Sequence, residues 1–298
     1  DAYIELGQYE NAKKAYETMV SLGPGLDSYS RISYMRELMG DVKGAIQAMK
    51  KAIEEGIKRN LPRENVAWAQ YILGELYFNT GDLKKAGEQY QASLKNYDNY
   101  YYALAGLGKA RASEKNYGEA IELYKKAIGI IPLPLFVSSL GDVYKKTGNM
   151  KEAKKQYDLV EYIGLLSKIN KVIYNRELAL FYADHDMKLD EAFEQARKEL
   201  EVRKDIYTYD TLAWALYKNN EPKEALEASK ESLSLGTKDA NLFFHAGMIY
   251  YKLGDMAKAK EYLNKALSTN PNFHIINSDL ARNTLNEMEN KSSSARKE

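Results

Sequence analysis

Few side chains in this 298-residue chain could carry acid–base or metal chemistry. There are three histidines and no cysteine, so thiolate catalysis, disulfides and cysteine metal sites are excluded. His185 lies between Asp184 and Asp186, but a metal site there would need further ligands that the sequence does not supply. We interpret this stretch as a solvated turn with a helix-capping aspartate, and we predict no metal site.

The other two histidines are predicted to be structural. His245 precedes a small Ala-Gly pair on a packed helix, and His274 follows Pro271 at a helix start. The glycines are spread along the chain and form no phosphate-binding loop, and no histidine is paired with a serine elbow. We therefore predict a protein that is not an enzyme and that has neither catalytic residues nor a cofactor.

Charge and hydropathy exclude two further classes of partner. Lys and Arg number 43 and Asp and Glu number 42, so bulk charge favours no nucleic acid. The sequence shows no apolar run of about 18 residues, so we expect no membrane insertion. The lack of cysteine leads us to favour an exported location, periplasmic or extracellular, over a cytoplasmic one. Because Asp1 falls inside a repeat, we expect further residues before it in the full-length protein.

The elements that must position any binding residue are pairs of short helices. The clearest pair spans 67–99, where Gly81 marks the turn between the two helices. Gly74 in the first helix and Ala86 in the second are small, which allows close approach of the two axes. The small residue of the second helix recurs at spacings close to 34 residues, at Ala12, Ala45, Ala86, Ala120, Ala153, Ala192, Ala225 and Ala259.

This period, with glycine at the turns, resembles the tetratricopeptide repeat. The resemblance implies an all-α fold, a right-handed superhelical α-solenoid of about eight repeats with a C-terminal capping helix. We predict that the array spans 1–271, with an incomplete first repeat and insertions near 57–65 and 162–172. The capping helix is predicted at 272–290 and a disordered tail at 291–298, which has no large apolar residue.

The resemblance also implies a function. In this family the first helices of the repeats line a concave groove that binds peptides or protein segments. Many residue types match the groove positions here, and those that we predict to bind a partner are aromatic apart from one lysine: Trp68, Tyr71, Phe78, Tyr102, Lys109, Tyr174, Phe181, Tyr207, Trp214, Tyr217, Phe244 and Tyr251. We therefore expect a non-enzymatic scaffold that binds a protein segment through this groove. The alternative is that some of these aromatic residues pack between repeats.

Other functions stay open at this point. The chain begins with an unpaired second helix, which another copy's C-terminal helix could cover, so end-to-end self-association into a filament or envelope-associated assembly is one alternative. Glycan binding through the groove aromatics is another, and a third is a regulatory part of a larger enzyme. The terminal repeats resemble those of bacterial proteins, some of them exported, which favours a bacterial or archaeal origin.

Overall fold

A computed structural model describes residues 1–170 and 176–294, and side chains as far as 290. Every regular element among these residues is an α-helix. The helices follow one another in antiparallel pairs, as the period predicts. The chain divides into two compact units, of which unit 1 comprises Asp1–Ile173, Val202–Asp205 and Leu235–Lys238. Unit 2 comprises Tyr174–Glu201, Ile206–Ser234 and Asp239–Glu298.

Unit 1 contains one partial and four complete helix pairs. Their bounds are α1 Ala2–Glu5, α2 Tyr9–Leu22, α3 Leu26–Leu38, α4 Val42–Lys58, α5 Arg63–Asn79, α6 Leu83–Asn96, α7 Tyr101–Ser113, α8 Tyr117–Ile130, α9 Pro134–Lys146 and α10 Met150–Ile169. The first pair consists of a four-residue helix and a complete second helix.

Unit 2 contains three helix pairs and a last helix that packs on the third. Their bounds are α11 Arg176–Asp184, α12 Leu189–Leu200, α13 Ile206–Lys218, α14 Pro222–Ser232, α15 Ala240–Leu253, α16 Met256–Thr269 and α17 Asn277–Ser294. α17 begins five residues later than expected and extends through 291–294, where a disordered tail was predicted. Residues 295–298, the rest of that tail, lie outside the described residues.

The insertions are largely absorbed into helices. α10 is 20 residues long and continues to Ile169, and the last residues of the second predicted insertion lie outside the described part of the chain. The first insertion extends both neighbouring helices, so that only 59–62 connect α4 to α5. Pro62 sits at the N-cap of α5, where its missing N–H does no harm.

The turns between paired helices are built from a left-handed residue followed by an N-cap. Gly81 has φ of +77°, and Asp82 then accepts a hydrogen bond from Lys85 N at 3.1 Å. In the next repeat Lys115 adopts φ of +64° in place of glycine, and Asn116 provides the cap. The backbone geometry of the turn is therefore kept even where the glycine is lost.

Tyrosine side chains from the second helices occupy the space that glycines leave on the first helices. A Cβ atom at Gly74 would lie 2.5 Å from the Tyr90 ring, and one at Gly106 would lie 2.6 Å from the same ring. Gly141 has the same relation to Tyr157, at 2.5 Å. Tyr90 and Tyr157 are thus framework residues, because their rings fill the crossings between helices.

Candidate protein-binding site

Four of the predicted groove residues lie in the interior. Phe78 is 3% exposed, Phe181 4%, Trp214 1% and Phe244 0%. Side chains with so little accessible surface cannot contact a partner, so the prediction for these four is corrected. They pack between neighbouring helices, which is the alternative that the sequence left open.

The contacts of Trp214 show why this predicted groove residue is buried in unit 2. Its ring stacks on Tyr217 at a centroid distance of 4.7 Å and on His245 at 4.2 Å. Its indole N–H donates to Asp184 Oδ1 at 2.9 Å, and Asn277 of α17 donates to the same oxygen. The indole is therefore enclosed by side chains of α11, α13, α15 and α17, and its one polar atom is satisfied.

A buried ionic network surrounds this tryptophan. His245 Nδ1 lies 2.9 Å from Asp210 Oδ2, and both side chains are below 10% exposed. Burial alone would lower the pKa of His245, but the attraction of Asp210, with Asp184 and Asp239 further away, outweighs it and raises the pKa. Asp239 is half-buried, and this burial raises the pKa of its carboxyl group.

The turn at Asp184 also differs from its prediction. Instead of capping a helix in solvent, Asp184 accepts hydrogen bonds from two buried side chains. His185 Nδ1 lies 2.7 Å from the Phe181 carbonyl oxygen, so the His185 ring has a structural role. His274 is structural as predicted, since its Nδ1 accepts from the backbone N–H groups of Ile276 and Asn277 at the start of α17.

The remaining unit 2 candidates are half-buried and are engaged within the unit. Tyr217 stacks on Trp214, Tyr251 donates to Glu287 at 3.4 Å, and Tyr207 has the Arg176 guanidinium 5.7 Å from its ring centroid. Tyr174 lies outside the described residues. The described part of unit 2 therefore offers less aromatic surface than the sequence suggests.

Unit 1 brings its predicted aromatic residues together at a partly exposed face. Trp68, Tyr71 and Tyr102 are half-buried and pack around the same small core of Ala67, Tyr100 and Ala103. Tyr71 and Tyr102 stack at a centroid distance of 5.3 Å, and Tyr101 lies 4.6 Å from Tyr102. We call the set Trp68, Tyr71, Tyr101 and Tyr102 the aromatic surface.

Lys109, the one predicted cation, lies in a network at the same helices. Its Nζ lies 2.6 Å from Glu75 Oε2 and 4.1 Å from the Phe78 ring centroid. The other oxygen of Glu75 accepts the Tyr90 hydroxyl proton at 2.5 Å. Burial, and then the Glu75 charge, raise the pKa of Tyr90 well above its usual value, so the phenol stays a donor.

A pocket opens beside Trp68 at the start of three first helices. Its volume is about 370 Å³. Its walls come from the first turns of α3 and α5 and from the N-cap of α7, and the lining residues are Leu26, Asp27, Arg31, Glu64, Asn65, Trp68 and Tyr100. The pocket adjoins the aromatic surface because Tyr100 contacts Tyr71, Tyr101 and Tyr102.

Sequence reasoning missed most of this pocket. Arg31, Glu64 and Tyr100 do not fall at positions that match the groove of the family, and Tyr100 precedes its helix. The available signal was compositional, since four tyrosines occur within residues 97–102. Gly106 was likewise missed as the second wall of the Tyr90 ring.

Paired helices that repeat every 34 residues or so define the class as an α-solenoid repeat protein. Family models described as tetratricopeptide repeat match residues 1–24, 138–163 and 240–273, and residues 39–101 and 73–133. Together these ranges cover more than half of the chain. The protein belongs to the tetratricopeptide repeat family, and the fold prediction is confirmed.

Three similar proteins illustrate the range of the family. A TPR repeat-containing protein of Methanocaldococcus jannaschii is 24% identical over 290 residues, which cover 90% of this chain and 48% of that protein. A protein O-mannosyl-transferase of Homo sapiens is 24% identical over 200 residues, 62% of this chain and 22% of the human protein. A crystal structure of a tetratricopeptide repeat protein from Parabacteroides merdae has a TM-score of 0.47 at 17% identity, and the match covers 89% of this chain and 98% of that one.

The chain thus spans about half or less of the length of the curated relatives named above. Within the described residues, no helix combines the length and the hydropathy that a membrane span requires. The family is typically a scaffold for protein–protein interaction, and this coarse function is the one that the fold supports.

Proposed function

We propose that the chain is a non-enzymatic scaffold that binds a protein segment on the aromatic surface of unit 1. The observation that carries this proposal is the partial exposure of Trp68, Tyr71 and Tyr102 around one shared core. Aromatic rings give large contact area and lose little conformational entropy on binding, which is why they are enriched at binding hot spots.

The position of these rings suits an extended segment. They lie on α5 and α7, the first helices of two consecutive repeats, so a segment that contacts both crosses at least two repeats. Tyr71 and Tyr102 already stack on each other, which means that their rings are ordered before any partner arrives. Such preorganisation lowers the entropic cost of association.

The O-mannosyl-transferase named above does not change this proposal. The match covers 22% of that protein, so most of the human protein has no counterpart in this chain. We assign no transferase chemistry to the described residues, because their three histidines have structural contacts: His245 with Asp210, His185 with the Phe181 carbonyl oxygen, and His274 with backbone N–H groups at the start of α17.

The proposal is tested by selection of displayed random peptides on the purified chain. We expect the enriched peptides to be rich in apolar and aromatic residues and to lose most of their affinity for the Trp68→Ala/Tyr102→Ala variant. The control is Tyr162→Ala, which removes a tyrosine that is 57% exposed on α10, a second helix. Peptides that bind both variants alike would overturn the proposal, and sedimentation of the chain alone shows whether self-association competes.

A further inference from the structure

The pocket beside Trp68 has an aromatic wall. Trp68 and Tyr100 both line it, with Leu26 as the apolar neighbour from α3. Trp68 is half-buried, so part of its ring remains available to a ligand. Tyr100 is 4% exposed and belongs to the small core on which Trp68 packs. The face of an indole is the aromatic surface that most strongly attracts a cation.

The charges of the pocket are unbalanced towards the negative. Asp27 and Glu64 both line it and are exposed, and neither carboxylate has an ion pair or a hydrogen bond within the described residues. Arg31 does not neutralise them, because its guanidinium donates to both Asp1 carboxylate oxygens at 3.0 and 2.8 Å. Its third contact is the backbone carbonyl of Asp27, at 3.1 Å.

We propose that this pocket binds an arginine or lysine side chain of the bound protein segment, with the cation over Trp68 and its N–H groups donating to Asp27 and Glu64. This inference rests on the proposed function, since the same segment occupies the aromatic surface next to the pocket. A basic side chain supplies the positive charge that the two carboxylates lack, and its methylene groups suit the contact with Leu26. An acidic side chain would face two like charges.

The two carboxylates can also stabilise their own helices, so the test must distinguish this effect from an effect on binding. Asp27 lies in the first turn of α3 and Glu64 in the first turn of α5, where negative charge is favoured by the helix dipole. That role is filled equally by Glu10 in α2 and Glu224 in α14, neither of which lines the pocket. The variant Glu10→Gln/Glu224→Gln therefore matches Asp27→Asn/Glu64→Gln in net charge and in helix position.

The test repeats the peptide selection on the unmodified chain and on Asp27→Asn/Glu64→Gln. We expect peptides from the unmodified chain to carry Arg or Lys at a fixed distance from their aromatic residues. Replacement of that residue by citrulline or norleucine should weaken binding about five- to tenfold. Peptides selected on the Asp27→Asn/Glu64→Gln variant should keep the aromatic residues and lose the basic one, whereas the Glu10→Gln/Glu224→Gln control should retain both.

The possible failures are distinguishable. Peptides that depend on Trp68 and Tyr102 but show no fixed basic residue, or that bind Asp27→Asn/Glu64→Gln unchanged, overturn this inference and leave the proposed function standing. Peptides that are indifferent to Trp68→Ala/Tyr102→Ala overturn both. Circular dichroism of each variant establishes that a loss of binding does not come from unfolding.

A second measurement locates the cation directly. The chain has two tryptophans, so its nitrogen-15 spectrum contains two indole signals, which Trp68→Phe assigns. Addition of a selected peptide should shift the Trp68 signal, and the citrulline peptide should shift it less. The buried Trp214 serves as an internal control, and an equal response to both peptides contradicts a cation over Trp68.

Discussion

The two tryptophans of this chain occupy equivalent kinds of helix and have opposite surroundings. Trp68 of α5 is half-buried and lines an open pocket in unit 1. Trp214 of α13 is 1% exposed and is enclosed in unit 2 by Tyr217, His245 and Asp184. The same residue type on a first helix thus belongs to a surface in one unit and to a core in the other.

The difference lies in the neighbours. The ring of Trp214 stacks on Tyr217 and on His245, and its indole N–H donates to Asp184. Because that N–H has an acceptor, burial of Trp214 leaves no polar atom of its side chain unsatisfied. Trp68 is only partly buried and packs against a small cluster of two alanines and a tyrosine. An aromatic residue of this array is therefore left partly exposed where the neighbouring repeats do not cover it.

Replacement of the tryptophans by alanine should give the largest contrast. We expect Trp214→Ala to lower the free energy of unfolding of unit 2 by about 3–5 kcal/mol, because it leaves a cavity and removes the donor to Asp184. Trp68→Ala should cost unit 1 about 1 kcal/mol, because its ring is only partly buried. Urea unfolding followed by circular dichroism measures both costs, and the remaining indole signal reports the unit that was not changed. Equal costs in the two units would contradict the comparison.

Glycine replacement tests the framework of unit 1. Gly74→Ala places a methyl group against the Tyr90 ring, so we expect a loss of about 1–3 kcal/mol through overpacking. Gly129 of α8 has no atom near its Cβ position. Gly129→Ala should therefore be neutral or stabilise by up to about 1 kcal/mol through helix propensity. Thermal unfolding of the two variants, compared with the unmodified chain, measures both effects. An unchanged stability of Gly74→Ala would show that the Tyr90 ring moves aside at little cost and would contradict the expected overpacking.

The pH dependence of stability should differ between the units. All three histidines lie in unit 2, and the pKa of His245 is raised in the folded chain by Asp210, Asp184 and Asp239 despite its burial. Folding therefore favours the protonated form, and this contribution is complete below the unfolded value of about 6.5. We expect it to be lost as the pH rises through the higher folded value.

Urea unfolding between pH 6 and pH 9, followed at the Trp214 signal, checks this expectation. The midpoint for unit 2 should fall with rising pH, while the midpoint reported by Trp68 should change less. Asp210→Asn removes the nearest carboxylate and should flatten the dependence for unit 2. A dependence that persists unchanged in Asp210→Asn would contradict the assignment to His245.

The fold could be predicted because its signals are local. Small residues and turn glycines recur in register, and each helix pair repeats the same crossing, so Gly74, Ala86 and Tyr90 had their packing roles visible in sequence. Where glycine was missing, as at Lys115, the turn formed regardless, because the following cap and helix determine it.

The site was less predictable, because exposure is not a local property. Trp214, Phe181 and Phe244 match groove positions, yet packing against other helices buries them. Their burial depends on partners about 30 residues away, such as His245 and Asp184, whose roles have no period. The pocket likewise combines residues of three repeats, and most of them stand at positions that the family pattern does not specify.

The bonds of Glu75 have a consequence for how this array can change in length. The Tyr90 hydroxyl that donates to Glu75 lies 15 residues further along the chain, within the same repeat. Tyr157 donates to Asp142 over the same separation. The Lys109 ammonium comes from 34 residues later, one full repeat on. A gene duplication of one 34-residue unit that contains both Glu75 and Tyr90 would copy the phenol together with its carboxylate, but it would place the copied glutamate, and not a lysine, 34 residues after Glu75. The bond within a repeat is thus kept when a whole unit is gained, whereas the repeat-to-repeat pair needs different residues at the same position of successive units.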